Sequence, residues 1–122
     1  MSYTISKSDN GKYIILKVVG TINRQLALQY YLEAHALGAE AGLNRYLVDF
    51  TECRNTDTIL RNYTFANQDM QNPGIDKTAR MALLVNPNDH SFDFIETLLR
   101  NAGNDLTLFT DLQLSQWHLE RD

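Results

Sequence analysis

The side chains best placed to do chemistry fall close together: Asp49, Cys53, Thr56, Asp57 and Thr58, all within the run RYLVDFTECRNTDTIL from Arg45 to Leu60. An acid near the end of a compact apolar run serves as a ligand contact or as an acceptor for loop amides, because a buried carboxylate must be hydrogen-bonded to be tolerated. Thr58 lies just ahead of a helical pattern. It reads either as a phosphoacceptor, favoured by the N–H groups and dipole of a helix start, or as an ordinary first-turn threonine behind a capping Asp57.

Other reactive types are dispersed. Cys53 is the single cysteine, and it reads as a small hydrophobe with only Arg54 beside it to lower its pKa. His35, His90 and His118 share no ligand spacing and are expected at the surface or at caps, so no metal site is expected. The six glycines are spread over hairpin and helix-end positions and form no phosphate loop, so no cofactor is expected either. No acid, base and nucleophile pair at a recognisable spacing, and the chain reads as noncatalytic, with no catalytic residue to assign.

The elements that must position these groups follow from periodicity. Tyr3 to Lys7 alternates as a strand, Asn10-Gly11 is a hairpin signal, and Tyr13 to Val19 is rich in β-branched and aromatic residues. Asn23 caps a helix whose stripe is Leu26, Tyr30, Ala34, Leu37 and Ala41, with Gly42 as its stop. Arg45 to Phe50 is a strand apolar enough to be covered on both faces. Ile59, Tyr63, Ala66 and Met70 keep helical spacing behind a cap at Thr56 or Asp57, until Asn72-Pro73-Gly74.

Arg80 to Val85 is the next apolar strand, stopped by Asn86-Pro87-Asn88. A helix follows, capped at Asp89 or Ser91, with Phe94, Ile95, Leu98, Leu99 and Ala102 as its stripe. Leu106 to Phe109 is the last strand, and Thr110-Asp111 opens a terminal helix. There, Leu114 and Trp117 dock on the sheet or else line an apolar pocket or an oligomer contact. Strands separated by helices require parallel pairing. The expected fold is α/β: a mixed, mainly parallel sheet of about five strands with an opening β-hairpin and helices packed against it.

Composition bounds the rest. The 122 residues make a single domain spanning 1–122, and 43% hydrophobic and 21% charged residues are ordinary for a soluble globular chain. The net charge is -4, and the eleven Lys and Arg are scattered; nucleic acid binding, which needs a basic face, is not expected. No apolar run approaches the roughly 20 residues that span a bilayer, and the start MSYTISKSDNGK lacks the pattern of a signal peptide. With one cysteine, a reducing, cytoplasmic setting is the expectation.

The order of elements, with VVGTINRQLALQYYLEA, the LVDF of Leu47 to Phe50, the ARMALLV of Ala79 to Val85 and the tail LTLFTDLQLSQW of Leu106 to Trp117, resembles the SpoIIAA-like group of the STAS (anti-sigma-factor antagonist) superfamily. The resemblance covers nearly the whole chain and implies that fold. In the phosphorylatable members, the central strand runs into an Asp-Ser pair modified by a partner kinase, and the comparable pair in this chain is Asp57-Thr58. The flanking pairs are Asn55-Thr56 and Ile59-Leu60, where those members carry apolar and small residues respectively.

Two functional expectations follow. The first is a binding or regulatory module whose edge at Asp49, Thr56, Asp57 and Thr58 meets a protein partner. The second is a domain that holds an apolar small molecule or lipid between helices and sheet. The aromatics Tyr30, Tyr31, Tyr63, Phe65 and Phe92 exceed what one helix face buries, so part of the set is expected in an exposed patch. A homodimer is expected either through such a patch or through the edge strand of the opening hairpin.

Overall fold

A computed structural model describes residues 2–121. In chain order it has β1 (Ser2–Lys7), β2 (Ile14–Ile22), α1 (Arg24–Ala41), β3 (Arg45–Asn55), α2 (Ile59–Asn67), a 3-10 turn (Asp69–Gln71), β4 (Arg80–Val85), α3 (Ile95–Asn101), β5 (Asp105–Phe109) and α4 (Leu112–Glu120). The five strands form one sheet in the order β1-β2-β3-β4-β5. β1 pairs antiparallel with β2, and every later pair is parallel. The expected α/β architecture, with its opening hairpin, is the one observed.

Each parallel connection moves one strand over in the same direction, so right-handed crossovers place α1, α2 and α3 on one face. That face carries the larger core: Ile14, Leu16 and Val18 of β2, Tyr46, Val48 and Phe50 of β3, and Met81 and Leu83 of β4 meet Tyr30, Tyr31, Phe65, Phe92 and Leu99. The opposite face has a smaller cluster of Tyr13, Leu47, Ala82, Leu84 and Leu119, covered by α4.

Several helix phases differ from the periodic reading. On α1 the buried stripe is Tyr30, Tyr31, Ala34, His35 and Gly38; Leu37 is half-buried and Ala41 exposed. On α4 the sheet-facing residues are Ser115, His118 and Leu119, while Leu114 and Trp117 point to solvent, Trp117 with 65% of its surface exposed. The docking expected of Leu114 and Trp117 is thus overturned. The reason lies at the far end of the helix, where Arg45 donates to the carbonyls of Leu119 (2.6 Å) and Arg121 (2.7 Å), and Arg80 to those of His118 (3.1 Å) and Arg121 (2.7 Å). Two cations on neighbouring strands satisfy carbonyls that a helix end leaves open, and so fix how α4 is rotated. Its start is held by Asp111, which accepts from the N–H groups of Gln113 (2.8 Å) and Leu114 (3.2 Å).

α3 begins at Ile95 without a side-chain cap. Asp89 instead accepts from the Ser91 N–H (2.8 Å), and the Ser91 hydroxyl accepts from the Asn55 N–H (3.0 Å). The residues expected to cap this helix therefore tie its approach loop to β3.

Under α1, His35 is buried with its ring stacked on Tyr46, 4.2 Å between centroids. Its Nδ1 accepts the Asp76 N–H at 3.0 Å, so in the neutral ring the proton sits on Nε2. The surface position expected for His35 is corrected, as is that of His118, which packs against Phe109. Burial lowers the pKa of His35 to about 4. Gly38 lets the helix approach this pair: a Cβ there would lie 2.0 Å from the Tyr46 hydroxyl oxygen and 2.9 Å from the Leu43 carbonyl oxygen.

Gly38→Ala should destabilise the fold by about 1–3 kcal/mol through overpacking against backbone as well as side chain, read from urea unfolding. A histidine neutral in the folded state but titrating near 6.5 when unfolded stabilises fully above that value. The contribution is lost as pH falls from 6.5 towards about 4. Unfolding free energies should therefore drop by a few kcal/mol over that window, and a slope unchanged in His35→Phe would show that another group is responsible.

Candidate functional site

The central strand is longer than its apolar core suggests, running on from Phe50 to Asn55. Its pairing with β2 slips between Lys17↔Asp49 and Val19↔Glu52, which inserts one extra residue into β3. Such a bulge breaks the alternation of faces. Before it, Tyr46, Val48 and Phe50 face the helices; after it, Cys53 does.

Asp49 consequently sits in mid-strand on the α4 side of the sheet, not at the end of the strand. Its Oδ1 accepts from the Thr51 N–H (3.0 Å) and hydroxyl (2.7 Å), and Lys17 lies 3.7 Å from Oδ2 while reaching Glu52 at 3.0 Å. Glu52 first, and then Asp49, raise the pKa of Lys17. Asn55 is six residues further on, roughly 20 Å along the strand. The structure thus separates Asp49 from the other three residues read as one edge.

Thr56, Asp57 and Thr58 do come together, where β3 hands over to α2. The N–H and hydroxyl of Thr56 both donate to the Ile22 carbonyl at 3.0 Å, tying the turn to the end of β2. The Asp57 side chain accepts from the backbone N–H of Arg24, at the start of α1, and from Arg61 Nε at 2.7 Å. One carboxylate therefore joins the first turns of two helices, in each case at the N-terminal end where negative charge is favoured. Asn55 completes the turn, accepting the Asp57 N–H and donating to Asn62, both at 3.0 Å.

The cap of α2 is Thr58, whose hydroxyl oxygen accepts from the Arg61 N–H at 3.2 Å. This corrects the expected cap at Thr56 or Asp57: Asp57 is drawn back to Arg24, which leaves the next residue to close the helix. The Thr58 side chain is exposed and retains its own hydroxyl proton.

With the start of α2 pinned in this way, Phe65 and Ala66 turn inward. Ile59 (62% exposed), Leu60 (73%) and Tyr63 (54%) turn outward. Residues three and four apart are neighbours on a helix, so these three form one apolar ridge directly behind Thr58. The periodic reading had Ile59 and Tyr63 facing the core. Of the aromatics expected to spill into a patch, only Tyr63 is exposed; Tyr30, Tyr31, Phe65 and Phe92 are buried. Leu60, the most exposed of the three, carried no periodic signal, although its place beside the candidate cap could have marked it.

Between these helices and the sheet lies a cavity of about 30 Å³, lined by Ile22, Tyr31, Phe50, Phe65, Phe92 and Ile95 among others. That is room for about one water. Ligand pockets usually run from about 300 to 1,000 Å³. Beyond the bulge, Gly20, Thr51, Glu52, Cys53, Arg54, Asn86 and Asp89 border an open depression of about 290 Å³. Burial pushes the Cys53 thiol up to about 12, so it carries no thiolate at neutral pH. Among the described residues, no three His, Cys, Asp or Glu side chains converge as metal ligands, and no helix is long and apolar enough to cross a membrane.

Two solved structures share this architecture. One is an uncharacterised protein of the DUF3478 family with a SpoIIAA-like fold from Shewanella loihica PV-4, at a TM-score of 0.57 and 15% identity over 97% of this chain and 92% of that one. The other is the anti-sigma factor antagonist SpoIIAA in its unphosphorylated form, at a TM-score of 0.54 and 10% identity over 95% and 96% of the two chains. No protein-family model matches the sequence, and no curated protein matches it. The chain has a SpoIIAA-like fold, as its element order implied.

Thr58→Ala should cost about 1 kcal/mol by removing the cap, and Thr58→Ser should restore most of it. Asp57→Ala should cost about 1–3 kcal/mol, because the Arg24 N–H loses its acceptor. Urea titrations of the three variants check both; equal stability of Asp57→Ala and the parent would show that the two helix starts are held by other contacts.

Proposed function

We propose that this chain is a noncatalytic module that acts by protein–protein contact through the turn and first helical turns after β3. Its contact surface comprises Thr56, Asp57 and Thr58 together with the ridge of Ile59, Leu60 and Tyr63. The observation that carries the reading is the ridge: three large apolar side chains, more than half exposed, on a helix whose start is fixed by Asp57. Contiguous exposed apolar groups beside polar ones are usual in contact surfaces, and a pre-fixed surface loses little freedom on binding.

One fold neighbour is an anti-sigma factor antagonist, a protein whose described role is exerted on another protein. This supports the contact reading without naming a partner. The small cavity supports a surface over an internal apolar ligand. The free, buried cysteine suits a reducing cytoplasmic setting.

Thr58 is the point of this surface open to modification. Its hydroxyl is exposed at a helix start, which favours a phosphate, while the Asp57 carboxylate beside it opposes one. The contact does not depend on that step. Asp49, on the other face, belongs to the module as a strand-stabilising acceptor.

A photo-crosslinking residue at Leu60 should give a discrete protein adduct from the source cell extract, identified by mass spectrometry. Adding Tyr63→Asp should reduce that adduct at least about tenfold, with thermal stability unchanged because the position is exposed. No adduct, or one indifferent to Tyr63→Asp, would remove the reading.

A further inference from the structure

The two edges of the sheet are treated differently. On β5, Glu96 accepts the Leu108 N–H at 2.7 Å, while Arg100 donates from Nε to the Leu106 carbonyl at 2.8 Å and from Nη2 to the Thr107 hydroxyl at 2.9 Å. Leu106 and Leu108 are the positions of a parallel strand that turn their backbone groups away from its neighbour. Two α3 side chains, four residues apart, thus occupy the groups a further strand would use, which is one way natural sheets block edge pairing.

β1 has no such cover. It pairs with β2 in six unbroken steps from Ser2↔Val19 to Lys7↔Ile14, and it contains no proline and no bulge. Its one charged residue, Lys7, stands at its end. Among the described residues, no side-chain hydrogen bond to its backbone is observed. Every second residue therefore offers an N–H and a carbonyl to the outside. The side chains at this edge are also set in advance: Tyr3 stacks on Tyr30 with 4.1 Å between centroids, and its hydroxyl donates to Glu33 at 3.0 and 3.1 Å. Tyr3 and Ile5 pack on the main core but stay only half-buried.

We infer that β1 is the pairing site for a second copy of this chain, joined antiparallel about a twofold axis at Thr4 to make a continuous ten-stranded sheet. The occupant follows from the strand's own complementarity. In that register Tyr3 faces Ile5 of the copy twice, Thr4 faces Thr4, and Ser2 faces Ser6. Aromatic with β-branched, Thr with Thr and Ser with Ser are favourable cross-strand pairs, and the first covers the apolar surface now left half-open. The two Lys7 residues lie roughly 20 Å apart, so no like charges meet. An isologous contact of this kind also closes, which leaves no free edge for further growth, since β5 is already blocked on both copies.

Sedimentation equilibrium on the full chain tests this, because backbone pairing of five residues a side, Ser2 to Ser6, makes a weak, reversible dimer. A monomer–dimer equilibrium is expected below about 500 µM. Thr4→Lys sets two ammonium groups face to face at an exposed position and should raise the dimer Kd at least about tenfold, with the thermal midpoint unchanged. Leu60→Glu should leave it within about twofold, which separates this contact from the ridge on α2. A chain monomeric throughout the range, a Kd indifferent to Thr4→Lys, or a dimer lost with Leu60→Glu instead would each overturn the inference.

Discussion

Parallel strands cannot be joined by tight turns, and from β2 to β5 every connection must leave the sheet and return. Because each return lands on the adjacent strand in the same direction, α1, α2 and α3 share one face. Most of the molecule follows from this. The helix face gathers six buried aromatics, Tyr30, Tyr31, Tyr46, Phe50, Phe65 and Phe92, into one core. The other face has only α4 to cover it, and α4 is held there by the two arginines that open β3 and β4 and by a small apolar cluster. The order of strands also leaves one edge on a parallel strand that α3 can reach and the other on β1, to whose backbone no side chain hydrogen-bonds among the described residues.

The starts of α1 and α2, capped by Asn23 and Thr58, are tied to each other by a single carboxylate. Asp57 accepts from the Arg24 N–H and from Arg61, and Arg24 in turn donates to Asp69 at 2.6 and 3.0 Å, beyond the end of α2. A helix anchored at both ends to its neighbour cannot roll to hide its apolar residues. Ile59, Leu60 and Tyr63 remain outside as a consequence, and a surface that would be a liability in an unanchored helix becomes a fixed contact face. Asp49 lies outside this arrangement because β3 stays extended for six more residues before the turn.

Much of the fold was legible in the chain itself. Asn10-Gly11, Gly42, Asn72-Pro73-Gly74 and Asn86-Pro87-Asn88 punctuate it where elements change, and the apolar runs of β3 and β4 stand out against them. The polar turn after β3 was legible too, since Asn55 to Thr58 is the kind of sequence that ends strands and starts helices. Less legible was how far β3 continues, because Glu52, Arg54 and Asn55 lack an apolar signal and are held as strand by pairing with β2. Helix phase was misjudged wherever a distant group decided it: Arg45 and Arg80 for Leu114 and Trp117, Asp57 for Ile59 and Tyr63, and Tyr46 with Asp76 for His35.

Local side-chain pattern was enough for the identity and order of the elements, since hydrophobic period and turn residues are properties that adjacent side chains impose on their own backbone. The residue types available for chemistry were equally plain: one cysteine and three dispersed histidines. Which faces those elements present depended on contacts between distant parts of the chain. A helix with apolar residues on more than one side has several tolerable rotations, and hydrogen bonds from residues tens of positions away select among them. The same holds for Asp49 and the Asp57-Thr58 pair, eight and nine residues apart in the chain: pairing with β2 keeps β3 extended as far as Asn55, which carries the turn roughly 20 Å from Asp49, and no local pattern marks that continuation.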